Sequence, residues 1–97
     1  MLRRPLHRSD ANRGLIVDAL RKAGVKVYDL GEPLDLLTGY RGVLSLLEVK
    51  DGGRKPSERR LRLSQQAFFD EWHDYPIFKV ETVEEALKAH GIKILET

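Results

Sequence analysis

Val43-Leu44-Ser45-Leu46-Leu47-Glu48-Val49-Lys50 is the longest apolar strand-like run in the chain, and its reading decides the fold. A run this rich in Val and Leu, with Gly42 before it and Asp51-Gly52-Gly53 behind it, is expected to be a central strand of a sheet. Its last third breaks the apolar pattern. Glu48 and Lys50 stand two residues apart, so on a strand both side chains leave the same face and address one volume of space.

Working outward, Gly39-Tyr40-Arg41-Gly42 reads as a hairpin connection, and Leu34-Asp35-Leu36-Leu37 as the strand before it. Val25, Val27, Tyr28 and Leu30 form an earlier strand that ends at the Gly31-Glu32-Pro33 turn. Leu15, Ile16, Ala19, Leu20 and Ala23 repeat at helical spacing, which predicts a first helix over about 10–23, capped by Ser9 or Asp10 and stopped by Gly24. Downstream, residues 51–60 (DGGRKPSERR) lack periodicity and are expected to be an exposed loop. Leu61, Gln65, Phe68, Phe69 and Trp72 then line one face of a second helix, for which core packing is the expectation. Pro76–Val80 reads as a short strand, and Thr82 with Glu85 as the capping box of a helix carrying Val83, Ala86 and Leu87. Gly91 ends that helix, and Ile92–Leu95 supplies a last strand. The order describes one α/β domain over residues 1–97, with a mixed sheet between helices.

Composition narrows the function classes. Hydrophobic residues make up 41% and charged residues 33% of the 97, a balance that permits a packed interior under a charged surface. The chain has no cysteine, so disulfides, thiolate zinc sites and cysteine nucleophiles are excluded, and a cytoplasmic location is expected. No apolar run approaches the roughly 20 residues that span a bilayer. The net charge is only +2, but basic residues cluster at Arg3, Arg4, Arg8 and Arg13 and again at Arg54, Lys55, Arg59, Arg60 and Arg62. Such patches can follow a phosphate backbone, and equally they can be solvated surface. Arg41, with Tyr40 at the hairpin tip, is a further candidate for DNA contact.

Asp35, on the strand that precedes the long one in a hairpin, can lie beside Glu48 on the same face. Two carboxylates with an open coordination sphere suit Mg²⁺ (or Mn²⁺), and a lysine beside them can orient water or offset charge in phosphodiester hydrolysis. The tripeptide Glu-x-Lys alone says little, because eight glutamates and seven lysines in 97 residues produce about 0.6 occurrences by chance. An ordinary strand with solvent-facing polar alternation is the competing reading. Against it stands the position of the pair at the end of an apolar strand, where ionic groups are costly unless they bind something. His7, His73 and His90 lack ligand-like spacing and read as scattered surface histidines.

Four stretches, in order and spacing, resemble the small stand-alone VRR-NUC and Holliday-junction-resolvase-like nucleases of phages and prophages, a branch of the PD-(D/E)xK superfamily. They are Asp10-Ala11-Asn12, Asp35-Leu36-Leu37-Thr38-Gly39, Leu46-Leu47-Glu48-Val49-Lys50-Asp51-Gly52, and Arg60-Leu61 with Ser64-Gln65 and Phe68. The resemblance implies a restriction-endonuclease-like αβββαβ core. It implies Asp35, Glu48 and the Val49 carbonyl as metal ligands, Lys50 as the residue assisting water, and Gln65 as an active-site glutamine. It also implies a DNA endonuclease acting on branched or flapped DNA, commonly as a homodimer. The chain departs from the family where Leu34 separates Pro33 from Asp35, and where Arg13 follows Asn12 in place of an acid or other polar residue. A non-catalytic nucleic-acid-binding module of the same fold is therefore the rival expectation, with a purely structural domain behind it.

Overall fold

The computed structural model describes residues 12–93. Its elements are α1 (Arg13–Lys22), β1 (Lys26–Asp29), β2 (Leu36–Tyr40), β3 (Val43–Val49), α2 (Pro56–Arg59), α3 (Leu63–Glu71), β4 (Ile77–Val80) and α4 (Val83–Ala89). The strands form one mixed sheet in the order β1-β2-β3-β4, antiparallel from β1 to β3 and parallel between β3 and β4. β3 is thus central. Arg41 and Gly42 alone turn the chain between β2 and β3, with φ of 51° and 82°, as a two-residue turn with left-handed central residues requires. Gly39 and Tyr40, expected in the connection, extend β2 instead.

Side-chain alternation sorts the sheet into two faces. Leu36, Leu47, Val49 and Val80 share the face covered by α1 and α4, where they close a core with Ile16, Leu20, Val25 and Ala86. Both helices end the same way. Gly24 and Gly91 adopt positive φ, and the residue after each donates its N–H back to the helix, Val25 to the Leu20 carbonyl and Ile92 to the Leu87 carbonyl. The Thr82 hydroxyl accepts from the Glu85 N–H at 3.0 Å, but the Glu85 carboxylate reaches back to the N–H of Glu81 rather than to that of Thr82.

Other expectations need correction. Pro56 at the first helical position converts part of the 51–60 loop into the short helix α2. In α3 only Gln65 is buried; Phe68 and Phe69 are half-buried and Trp72 is 38% exposed. Periodicity marks which side of a helix is apolar, but not how much of another layer lies against it. Here the core occupies the opposite sheet face, and the aromatic rings pack on one another, Phe68 on Trp72 at 5.5 Å and Trp72 against Tyr75 at 5.4 Å. Ile92 and Lys93 are not in a strand, and the remainder of the expected last strand lies outside the described residues, as do Ser9, Asp10 and His7. No helix among the described residues is long and apolar enough to cross a membrane.

The one-sided core has a measurable consequence. Leu47→Ala, at a fully buried position, should cost about 2–5 kcal/mol in urea unfolding. Leu44→Ala, 67% exposed on the other face of the same strand, should cost less than about 1 kcal/mol.

Candidate active site

The β2–β3 ladder ends with Leu36 opposite Leu47, and one step further Asp35 stands opposite Glu48. There side chains take over the pairing. The Asp35 N–H donates to Glu48 Oε1 at 3.2 Å, and the Val49 N–H donates to Asp35 Oδ2 at 2.9 Å. Asp35 and Glu48 are 8% and 5% exposed, so two carboxylates are buried side by side, each accepting from a main-chain donor.

Lys50 leaves the same face as Glu48. Its Nζ lies 3.2 Å from Glu48 Oε2 and donates to Gln65 Oε1, also at 3.2 Å. That amide oxygen also accepts the Arg62 N–H at 3.0 Å, so Gln65 caps the start of α3 while holding the lysine. An ammonium has three donors, and two of them are committed here. The Val49 carbonyl is aimed by its strand: a residue's N–H and C=O point to the same side of a β-strand, and the Val49 N–H meets Asp35. The structure therefore brings together Asp35, Glu48, Val49, Lys50 and Gln65.

Burial pushes the Glu48 carboxyl above the usual carboxylate range; the neighbouring Asp35 charge pushes the same way, and Lys50 opposes both. A cation set between the two acids would relieve both the desolvation and the repulsion. These residues border a cleft of about 480 Å³, also lined by Asp51, Arg54, Ser57, Arg60 and Arg62. Among the described residues no third His, Cys, Asp or Glu joins the two acids in a metal-holding group. A divalent ion would fit these donors, completing its shell from the Val49 carbonyl, water and substrate oxygen.

The arginines divide. Arg60 lines the cleft with no ion pair among the described residues, Arg62 lies 3.9 Å from Glu32, and Arg54 is 3.9 Å from both Asp51 and Glu58. Arg59 instead pairs with Glu81 at 3.1 Å and does not line the cleft, and Lys55 is exposed beside it. Arg41 sits over the Tyr40 ring at the opposite end of β3, about 20 Å of strand from Glu48. Arg13 corrects the expectation of a surface phosphate contact: it is 6% exposed, with Nη2 2.8 Å from Asp29 Oδ1 and Nε 4.0 Å from Asp35 Oδ1. Arg3, Arg4 and Arg8 lie outside the described residues.

Two further polar contacts fix the elements around the site. Asn12 Nδ2 donates to the carbonyls of Lys50 (2.9 Å) and Glu81 (2.8 Å), fastening the start of α1 across the ends of β3 and β4. Only its place in the Asp10-Ala11-Asn12 stretch hinted at this. His90, expected at the surface, is half-buried and donates through Nδ1 to the Ala86 carbonyl, while its Nε2 lies 2.7 Å from Thr38 Oγ1; it braces α4 against β2 away from the cleft.

No protein-family model matches the chain, and no curated protein or solved structure matches it.

Because the Glu48 pKa is raised in the fold, its ionisation costs stability as pH climbs above the ordinary glutamate value. In metal-free buffer, Glu48→Gln should therefore gain melting temperature relative to the parent as pH rises from about 4 to 8. A gap that stays constant across that range would show that the carboxyl is not perturbed.

Proposed function

We propose that this protein is an Mg²⁺- or Mn²⁺-dependent endonuclease that hydrolyses phosphodiester bonds in DNA. The observation that carries the reading is the meeting of Asp35 and Glu48, each fixed by a main-chain N–H, with Lys50 and Gln65 at the edge of an arginine-lined cleft. The element order supports it: α1, three antiparallel strands, α3 and a parallel β4 follow the restriction-endonuclease-like αβββαβ plan that the sequence resemblance implies.

In this reading Asp35, Glu48 and the Val49 carbonyl hold the ion. An ion bound there would supply the Lewis acidity that lowers the pKa of a water and polarises the phosphoryl oxygen. Lys50 points its remaining N–H at that water or at a non-bridging oxygen, and Gln65 keeps the ammonium in place. Arg60, which has no ion pair among the described residues, is the cleft residue best placed to take an adjacent phosphate. Among the described residues the cleft lining contains no aromatic side chain on which a base could stack, so the arginines' contact with phosphate carries the binding in this reading. Branched or flapped DNA is the substrate class the resemblance favours. A homodimer would place two such clefts on one DNA, and Tyr28 and Leu44, 56% and 67% exposed on the sheet face opposite the core, offer apolar surface for it.

Among the described residues only two carboxylates meet in the group, which keeps one rival in view, a nucleic-acid-binding module of the same fold that does not cut. Supercoiled, flapped and four-way-junction DNA incubated with the protein in Mg²⁺, Mn²⁺ or EDTA separates the two. Cutting should require a divalent ion and fall by about 10²-fold or more in Lys50→Ala and Glu48→Gln, with binding retained. Binding without cutting under every metal would assign the module instead.

Charge should also show in the binding step. Arg60→Ala should weaken DNA binding uniformly across sequences and lower the slope of log K against log salt by about one unit. Arg59→Ala, whose guanidinium is engaged by Glu81, should leave that slope unchanged.

A further inference from the structure

We propose that Asn12 is a positioning residue of this site, one that sets where Lys50 stands by holding the Lys50 main-chain carbonyl. The inference rests on the metal-dependent reading above and goes beyond it, to a side chain at the start of α1 that acts through another residue.

An asparagine just before a helix usually turns its side-chain oxygen onto a main-chain N–H of the first turn and stabilises the helix. Asn12 precedes α1 and makes no such bond. Its amide points the other way, and Nδ2 directs its hydrogens to the carbonyls of Lys50, at 2.9 Å, and Glu81, at 2.8 Å. With the nitrogen so engaged, Oδ1 is buried with no hydrogen-bond partner among the described residues. Both features cost stability: a helix cap is forgone, and an acceptor is removed from water. The two bonds gained are of the same order, so stability alone gives little reason for an asparagine in this pose. A local conflict of this kind is characteristic of functional positions.

What the pose achieves is local to Lys50. The Lys50 N–H donates to the Val80 carbonyl at 2.9 Å, which adds one rung to the parallel β3–β4 ladder. Its carbonyl belongs to the next peptide, where the sheet gives way to Asp51-Gly52-Gly53 and the wall of the cleft that has no buried residue in α2. Asn12 holds that peptide, and through the Glu81 carbonyl it ties the same point to the end of β4. Both main-chain sides of Lys50 are thereby fixed. The ammonium already meets Glu48 Oε2 and Gln65 Oε1 at 3.2 Å each, and its third N–H is the one left for the reacting phosphate or water. A flexible four-carbon stem delivers that hydrogen to one place only when its root stays still, and a displacement of about 1 Å can lower a rate by about 100-fold. Asn12 therefore lets the basic wall shift around arriving DNA without carrying Lys50 along.

A double-mutant cycle tests the route of the effect. Single-turnover cutting of supercoiled, flapped and four-way-junction DNA in Mg²⁺ or Mn²⁺ is measured for the parent, Asn12→Ser, Lys50→Ala and the pair. Serine can supply the missing cap but is too short to span the two carbonyls, so Asn12→Ser should melt within about 5 °C of the parent. Its maximal cutting rate should fall about 10-fold or more, with the half-saturating DNA concentration within about twofold of the parent. In the Lys50→Ala background the same substitution should cost less than about twofold, because the group it positions is gone. If Asn12→Ser does not fold, as judged by circular dichroism, Asn12→Asp, which keeps the shape and can also cap, takes its place. Equal losses in both backgrounds, a loss confined to DNA affinity, or no loss at all would overturn the role of Asn12 and leave the nuclease reading standing. Absence of metal-dependent cutting by the parent would overturn that reading, and this role with it.

Discussion

Two hydrogen bonds between main-chain N–H groups and carboxylates, Asp35 to Glu48 and Val49 to Asp35, govern how this molecule is built. They lie where the β2–β3 ladder stops, and they replace the next rung of backbone pairing with side chains. Neither carboxylate could be withdrawn from water at this depth without such donors, because an unpaired buried charge costs several kcal/mol. A bond to a charged acceptor returns only about 1.5–3 kcal/mol. The donors hold the two groups in place, and the raised pKa of Glu48 shows that they do not fully offset its burial.

That residual cost explains the cations around the pair. Lys50 approaches Glu48 from its own strand, and Arg13 approaches Asp35 from the start of α1. Each is in turn held by a residue of another element: Lys50 by Gln65 of α3, Arg13 by Asp29 of β1. A strand end, two helices and a neighbouring strand are thereby committed to one small volume. Removing the group from the molecule and packing the space with apolar side chains of similar size would be neutral or stabilising in many proteins. Retaining buried like charges in a domain this small fits a site that binds a cation better than it fits a structural ion pair.

Much of this was legible in particular residues. That Asp35 could share a face with Glu48 followed from the hairpin, but the register did not, because the expected connection took in Gly39 and Tyr40; only the two-residue turn at Arg41 and Gly42, which sets Tyr40 against Val43, brings Asp35 opposite Glu48. Alternation with period two then puts Lys50 on the same face, and helical phase turned Gln65 inward. What remained unread depended on which surfaces meet, and periodicity carries no information about that. Phe68, Phe69 and Trp72 mark an apolar helix side, yet the layer that covers the sheet is made by α1 and α4 on its other face. Arg13 belonged by composition to a basic cluster. Only the docking of α1 across the ends of β3 and β4 shows that its side chain is buried.

The docking of α1 also joins stability to the site. Ile16 and Leu20 fix the helix on the core, while Asn12 and Arg13, about one turn before Ile16, reach the Lys50 carbonyl and the Asp35 carboxylate. A rigid helix cannot shift its first turn without moving the residues it buries further along. The carboxylates, Lys50 and the first turn of α1 therefore inherit their placement from the best-packed part of the molecule. The opposite wall of the cleft is held differently. The segment carrying Arg54, Arg60 and Arg62 has no buried residue in α2, and Arg59 ties it to Glu81 at the end of β4. On the proposed function, rigid acids facing a lightly anchored basic wall would form the ion site in advance and leave the phosphate-binding side to adjust to the backbone that arrives.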